Sequence, residues 1–91
     1  GYADAQFNLG LMYANGEGVE QDMSRAVELF KKAAEQGHVD AQNNLGAMYF
    51  TGDGVTRDEK KAIEWLEKAA AQGNEDAQAN LDAIRAAGKS R

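Results

Sequence analysis

The sequence predicts an all-α solenoid: two 36-residue helix-turn-helix repeats and a C-terminal capping helix, five helices in all. Three observations carry this. Asp4-Ala5-Gln6 returns as Asp40-Ala41-Gln42 and again as Asp76-Ala77-Gln78, and 19 of the 36 positions of 4–39 are identical in 40–75. A fixed period of this size marks a stack of supersecondary units, each burying its face against the next. The chain has no proline, and its ten glycines recur in phase, as placed breaks between helices. Within each unit the apolar residues follow a helical period.

The first helix of the unit covers 3–15. Ala5, Leu9, Met12 and Tyr13 fall on one face, and their copies are Ala41, Leu45, Met48 and Tyr49. Asp4 and Asp40 stand at or near the helix start, where a carboxylate complements exposed N–H groups. Gly16-Glu17-Gly18-Val19 and Gly52-Asp53-Gly54-Val55 stop these helices and reverse the chain, each Val anchoring its loop to the core. The second helix runs from about 22 to 36 and again from 58 to 72. Its stripe is Ala26, Phe30, Ala33 and Ala34, then Ala62, Leu66, Ala69 and Ala70, with Leu29 and Trp65 alongside. Asp22 and Asp58 are candidate caps, Thr56 with Glu59 is a competing capping box, and Gly37 and Gly73 close the helices. Gly10 and Gly46 lie inside helices, where glycine costs about 1 kcal/mol against alanine. Close approach of the paired helix, whose Ala33 and Ala69 are also small, is the expected compensation.

The third occurrence of the motif departs from the first two. Its helix, 76–87, keeps Ala77, Leu81 and Ile84 inward, but Asp82 replaces the interior glycine and Arg85 the tyrosine. That is the expected composition of a polar capping helix, with Asp82 and Arg85 close enough for a weak i, i+3 pair. Lys89-Ser90-Arg91 reads as a frayed basic tail. At the other end, Gly1-Tyr2-Ala3 is in phase with Gly37-His38-Val39, so the chain is expected to be part of a longer array with an uncovered side on its first helix. The single domain 1–91 divides as 4–39, 40–75 and 76–87.

Composition removes several function classes. A net charge of −5 argues against a phosphate-backbone partner. No apolar run approaches the roughly 18 residues that a membrane span needs. There is no cysteine, and His38 is the one histidine, so no zinc cluster is expected. The acid-rich stretch 17–22 lacks a calcium-loop pattern. No catalytic residue, metal or cofactor site is expected.

The pattern Ala-x-x-x-Leu-Gly-x-x-Tyr, Gly-x-Gly-Val, Asp, Ala and Lys-Ala-Ala-x-Gln-Gly resembles the Sel-1-like repeat (SLR), a relative of the tetratricopeptide repeat. It is carried by Ala5, Leu9, Gly10, Tyr13, Gly16, Gly18, Val19, Asp22, Ala26, Lys32, Ala33, Ala34, Gln36 and Gly37, all repeated at +36. Glu20 and Thr56 stand where the family often has proline, and the cysteines of its disulfide-stapled branch are missing. The resemblance implies a right-handed superhelix of helix pairs, an adaptor or scaffold role, and a bacterial, often periplasmic or secreted, setting. A corner of the cysteine-rich branch is associated with β-lactam binding and hydrolysis. That chemistry needs an activated serine, and Ser24 is followed by Val27 rather than by a Ser-x-x-Lys pattern.

The related tetratricopeptide geometry implies that the first helices line a concave face. Residues 1–16 and 39–52 hold one charged side chain each, Asp4 and Asp40, so this face is close to neutral. The implied partner-binding residues are Phe7, Asn8, Leu11, Asn15, Asn43, Asn44, Ala47 and Phe50, with Ala14 and Thr51 beside them, suited to a peptide or a helix of a partner protein. The competing assignment puts Phe7 and Leu11 beneath a preceding repeat, Phe50 in an inter-repeat gap, and Asn8 and Asn44 in helix bridges. Phe7, Leu11 and Phe50 also suit self-association, giving a homo-oligomer or spacer unit. The near-identity of the copies fits recent duplication and consensus design equally.

Overall fold

The computed structural model describes residues 1–89; Ser90 and Arg91, the end of the expected basic tail, lie outside the described residues. Five helices follow one another: α1 (Tyr2–Asn15), α2 (Met23–Glu35), α3 (Val39–Thr51), α4 (Glu59–Ala71) and α5 (Glu75–Lys89). Among the described residues there is no strand. Each helix packs on its chain neighbours, and α3 also touches α5. The stack extends over 41 × 24 × 16 Å, longest along one direction as stacked hairpins require.

The two copies are built from the same local devices. Asp22 caps α2 by accepting from the Arg25 amide at 3.0 Å, and Asp58 caps α4 through the Lys61 amide at 3.1 Å, which settles the choice against Thr56. Both α2 and α4 end in a Schellman turn. Gly37 N–H donates to Ala34 and His38 N–H to Ala33, and Gly73 and Asn74 do the same to Ala70 and Ala69. Gly16 and Gly52 close α1 and α3 at φ 70° and 81°, the left-handed region where a Cβ is strained.

Gly10 and Gly46 do sit where the paired helix comes close, but against other residues than the small ones. A Cβ on Gly10 would lie 2.8 Å from the Phe30 ring; on Gly46 it would lie 2.7 Å from Leu66 Cγ and 3.1 Å from the Ala62 carbonyl oxygen. Phe30 and Leu66 are themselves buried and fill the space that the missing Cβ leaves.

The shared motif has two fates. In α3, Ala41, Leu45, Met48 and Tyr49 are all buried. In α1, Ala5 is exposed, and Leu9 and Met12 keep 40% and 38% of their surface open. The reason is tertiary: α2 lies against α3, and no described element lies on the corresponding side of α1. The expected Asp82–Arg85 pair is not formed. Asp82 instead accepts from Gln78 Nε2 at 3.0 Å, and Arg85 reaches back to Glu67 on α4 at 3.0 Å.

Candidate functional site

Along the face formed by α1, α3 and α5, two hollows lie one repeat apart. The first, about 270 Å³, is lined by Leu11, Ala14, Asn15, Phe30, Asn44, Ala47 and Met48. The second, about 280 Å³, is lined by Ala47, Phe50, Thr51, Leu66, Asn80, Ala83, Ile84 and Ala87. Adding 36 to each residue of the first gives a residue of the second, so the repeat rule generates the hollow as well as the helices. Ala47 belongs to both and separates them. Their walls are mainly apolar, and no acidic or basic residue lines either one.

The two hollows differ where the copies differ. Ala14 of the first becomes Phe50 in the second, which adds an aromatic ring to the lining. That ring is held from outside: Arg57 donates from Nε to the Phe50 carbonyl at 2.8 Å and lays its guanidinium 5.3 Å from the ring centroid. In the first copy Gln21 makes the same backbone bond to Ala14 at 2.8 Å, with no ring to cover. Phe50 also packs against both core clusters, so it fills an inter-repeat gap and lines the hollow at once.

Of the expected residues, Leu11, Asn15, Asn44, Ala47 and Phe50 line the hollows, as do Ala14 and Thr51. Asn43 has a different place. Its Oδ1 accepts from Asn80 Nδ2 at 3.0 Å, tying α3 to α5. Asn44, one position on, forms no side-chain hydrogen bond among the described residues; shifted back by 36, the Asn43–Asn80 pair becomes Phe7 and Asn44, and Phe7 has no acceptor. Asn8 is exposed and, among the described residues, also unbonded. Phe7 is half-buried and lines neither hollow. It stacks on His38 with centroids 4.6 Å apart and tilts against Phe30 at 5.5 Å. Asn80, Ala83, Ile84 and Ala87 were not among the expected site residues; the 36-residue shift of Asn44 and Ala47 onto Asn80 and Ala83 carried the signal.

His38 is a joint between repeats. Its Nδ1 accepts from the Ala41 amide at 3.1 Å and caps α3, so the ring proton sits on Nε2, 2.9 Å from Asp4 Oδ1. Asn74 does the same in the next repeat, accepting from the Ala77 amide at 2.8 Å and donating to Asp40 at 3.3 Å. The N-terminal ammonium 3.1 Å from Asp4, together with His38, holds the Asp4 carboxyl below its ordinary value. Among the described residues, no group of acids and histidines has the makings of a metal site.

The Sel1 repeat family model matches residues 3–38 and 39–74, one match per repeat. Three solved structures are similar. A protective antigen of uropathogenic Escherichia coli strains displaying an SLR fold is 48% identical over 85% of this chain and 16% of its own, with a TM-score of 0.83. A Sel1 repeat protein from Oxalobacter formigenes is 46% identical over 88% of this chain and 60% of its own, at 0.86. Helicobacter pylori cysteine-rich protein B is 34% identical over 87% of this chain and 59% of its own, at 0.82. The chain therefore spans less than two thirds of each. No curated protein matches the sequence.

Proposed function

This chain belongs to the Sel1 repeat family, and from that premise we propose that it is a non-enzymatic interaction module that holds a partner protein or peptide in the groove of α1, α3 and α5. The observation that carries this is the pair of apolar hollows repeated at 36 residues, flanked by the unbonded amide of Asn44. Helices pack about 8–10 Å apart, and a polyproline II segment has three residues per turn with a rise of about 3.1 Å per residue. Apolar side chains three residues apart on a partner in that conformation point the same way, about 9 Å apart, and fit the two hollows in turn. The amides of Asn15 and Asn44 suit the peptide backbone between them. The absence of charge on the walls favours an apolar, uncharged segment.

The alternative, a spacer or self-associating unit, rests on the exposed Leu9 and Met12 and on Tyr2, which is 74% exposed. It is the weaker reading, because two such faces meeting leave the polar groups of α1 without the partners that α3 has. We read the setting as bacterial, a reading supported by the relatives from Escherichia coli, Oxalobacter formigenes and Helicobacter pylori. Among the described residues no helix is long and apolar enough to cross a membrane.

Panning a random peptide library against the chain and against Ala47→Glu tests the groove. Selected peptides should carry apolar residues at i and i+3 and should lose the Ala47→Glu protein, which blocks both hollows with one charge. Peptides that bind both proteins equally would remove the groove as the site.

A further inference from the structure

The two hollows share a plan but not their free hydrogen-bonding groups. Helices α1, α2 and α3 supply the first, and α3, α4 and α5 the second. Two polar side chains line each one. In the second, both are spent within the protein: Asn80 Nδ2 donates to Asn43 Oδ1 at 3.0 Å, and Thr51 Oγ1 donates to the Met48 carbonyl at 3.4 Å. In the first, the side chains of Asn15 and Asn44 make no hydrogen bond among the described residues. Asn44 is half-buried, so its free amide belongs to the wall of the hollow rather than to open surface. The cause is one departure between the copies: Phe7 stands where a second asparagine would tie Asn44 as Asn43 ties Asn80.

An asparagine amide carries a donor and an acceptor side by side. When free, it can pair with both the N–H and the C=O of one partner residue. When tied through its nitrogen, it cannot face a partner with both. Asn44 is in the first condition and Asn80 in the second. A polyproline II chain makes no hydrogen bonds within itself, so its N–H and C=O groups are available to Asn44. The second hollow is left to read by shape. Its aromatic ring, Phe50, is half-buried, whereas Phe30 in the first hollow is only 2% exposed. Proline-rich segments dock in aromatic-lined grooves, and proline has no N–H to leave unpaired.

We propose that the two hollows read different things and so fix the order of the bound segment, an inference that rests on the groove as the partner site. The first hollow takes an apolar residue other than proline, whose backbone N–H and C=O pair with Asn44. The second takes an apolar residue by shape alone and accepts proline. The partner is therefore an uncharged polyproline II segment with an aliphatic residue and a proline three positions apart, the proline on the α5 side. Charged side chains at these two positions find no counter-charge, because no acidic or basic residue lines either hollow.

The probe is a blocked alanine peptide with leucines at i and i+3, titrated into the isotope-labelled chain and followed by amide resonances. N-methylation of one leucine, which removes its N–H, should weaken binding about three- to tenfold, and N-methylation of the other should be tolerated. Proline should be accepted only at the tolerant position. A nitroxide at that end of the peptide should broaden Ala83 and Ala87 rather than Leu11 and Asn15. Asn44→Ala, which removes no bond the fold uses, should weaken the parent peptide by a similar factor and abolish the sensitivity to N-methylation. Asn43→Ala, which frees Asn80, should make the second position sensitive as well. Equal costs at the two leucines, or a sensitivity that survives Asn44→Ala, would overturn the inference and leave the groove standing. No shifts at millimolar peptide would overturn the groove and the inference together.

Discussion

Replacing Gly46 by alanine tests whether helix spacing, rather than helix propensity, governs this fold. In a free helix the change gains about 1 kcal/mol. Here the new methyl lies 2.7 Å from Leu66 Cγ, 2.9 Å from its Cδ2 and 3.1 Å from the Ala62 carbonyl oxygen. Leu66 is fully buried, its Cγ is a branch point, and the carbonyl belongs to α4, so relief requires α3 and α4 to move apart. Overpacking of this kind costs roughly 1–3 kcal/mol, with occasional larger values. The upper part of that range, less the propensity gain, leaves a net loss of about 1–2 kcal/mol. For a chain of this size that lowers Tm by roughly 4–16 °C. Gly10→Ala should lose less, because its contacts are the Phe30 ring and Leu29 Cβ and include no backbone atom. Gly88→Ala, with nothing within 4 Å, should be neutral or slightly stabilising. Urea and thermal unfolding followed by circular dichroism measure all three. A Gly46→Ala protein as stable as the parent, with unchanged m-value, would refute the close-approach argument. Leu66 also lines the second hollow, so the same variant should disturb peptide binding there.

Three further outcomes follow from the unequal fates of equal motifs. Leu45→Ala should lose about 2–5 kcal/mol, and Leu9→Ala less than about 1 kcal/mol, in denaturant titrations, because one is fully buried and the other 40% exposed. Equal losses would mean that α1 is covered in solution. His38→Asn should keep the cap, since Asn74 makes the same two bonds, and lose only the Phe7 stack, about 0.5–1.5 kcal/mol, whereas His38→Ala should lose about 1–2 kcal/mol more with the cap. Asp4 has a lowered carboxyl pKa in the folded chain, so its contribution is present above the ordinary value of 3.8 and is lost as pH falls through the lower folded value. Comparing acid titrations of the parent and Asp4→Asn should show a stability gap at neutral pH that closes in that acid range.

The repeat period, the five helices, both aspartate caps and the closing glycines were legible in the sequence, because each depends on a few neighbouring residues and on a pattern written twice. Five of the eight expected groove residues lie in the hollows for the same reason: a position fixed relative to the Leu-Gly pair is fixed in the solenoid. Asn43 lies outside the hollows, bonded to Asn80 of a helix read only as a cap. Phe7 lies outside them too, stacked on His38, a contact between residues 31 apart that no local pattern shows.

The sequence by itself determined what each repeat is; the tertiary structure decided what each copy does. Leu9 and Leu45, Gln6 and Gln42, and Gly18 and Gly54 are identical pairs in equivalent helices and loops, yet one member of each is packed or bonded by α2 and the other is open. No local pattern encodes that difference, since burial and hydrogen bonding belong to the pair of surfaces in contact. For α3 the second surface is α2. For α1 no described element supplies it.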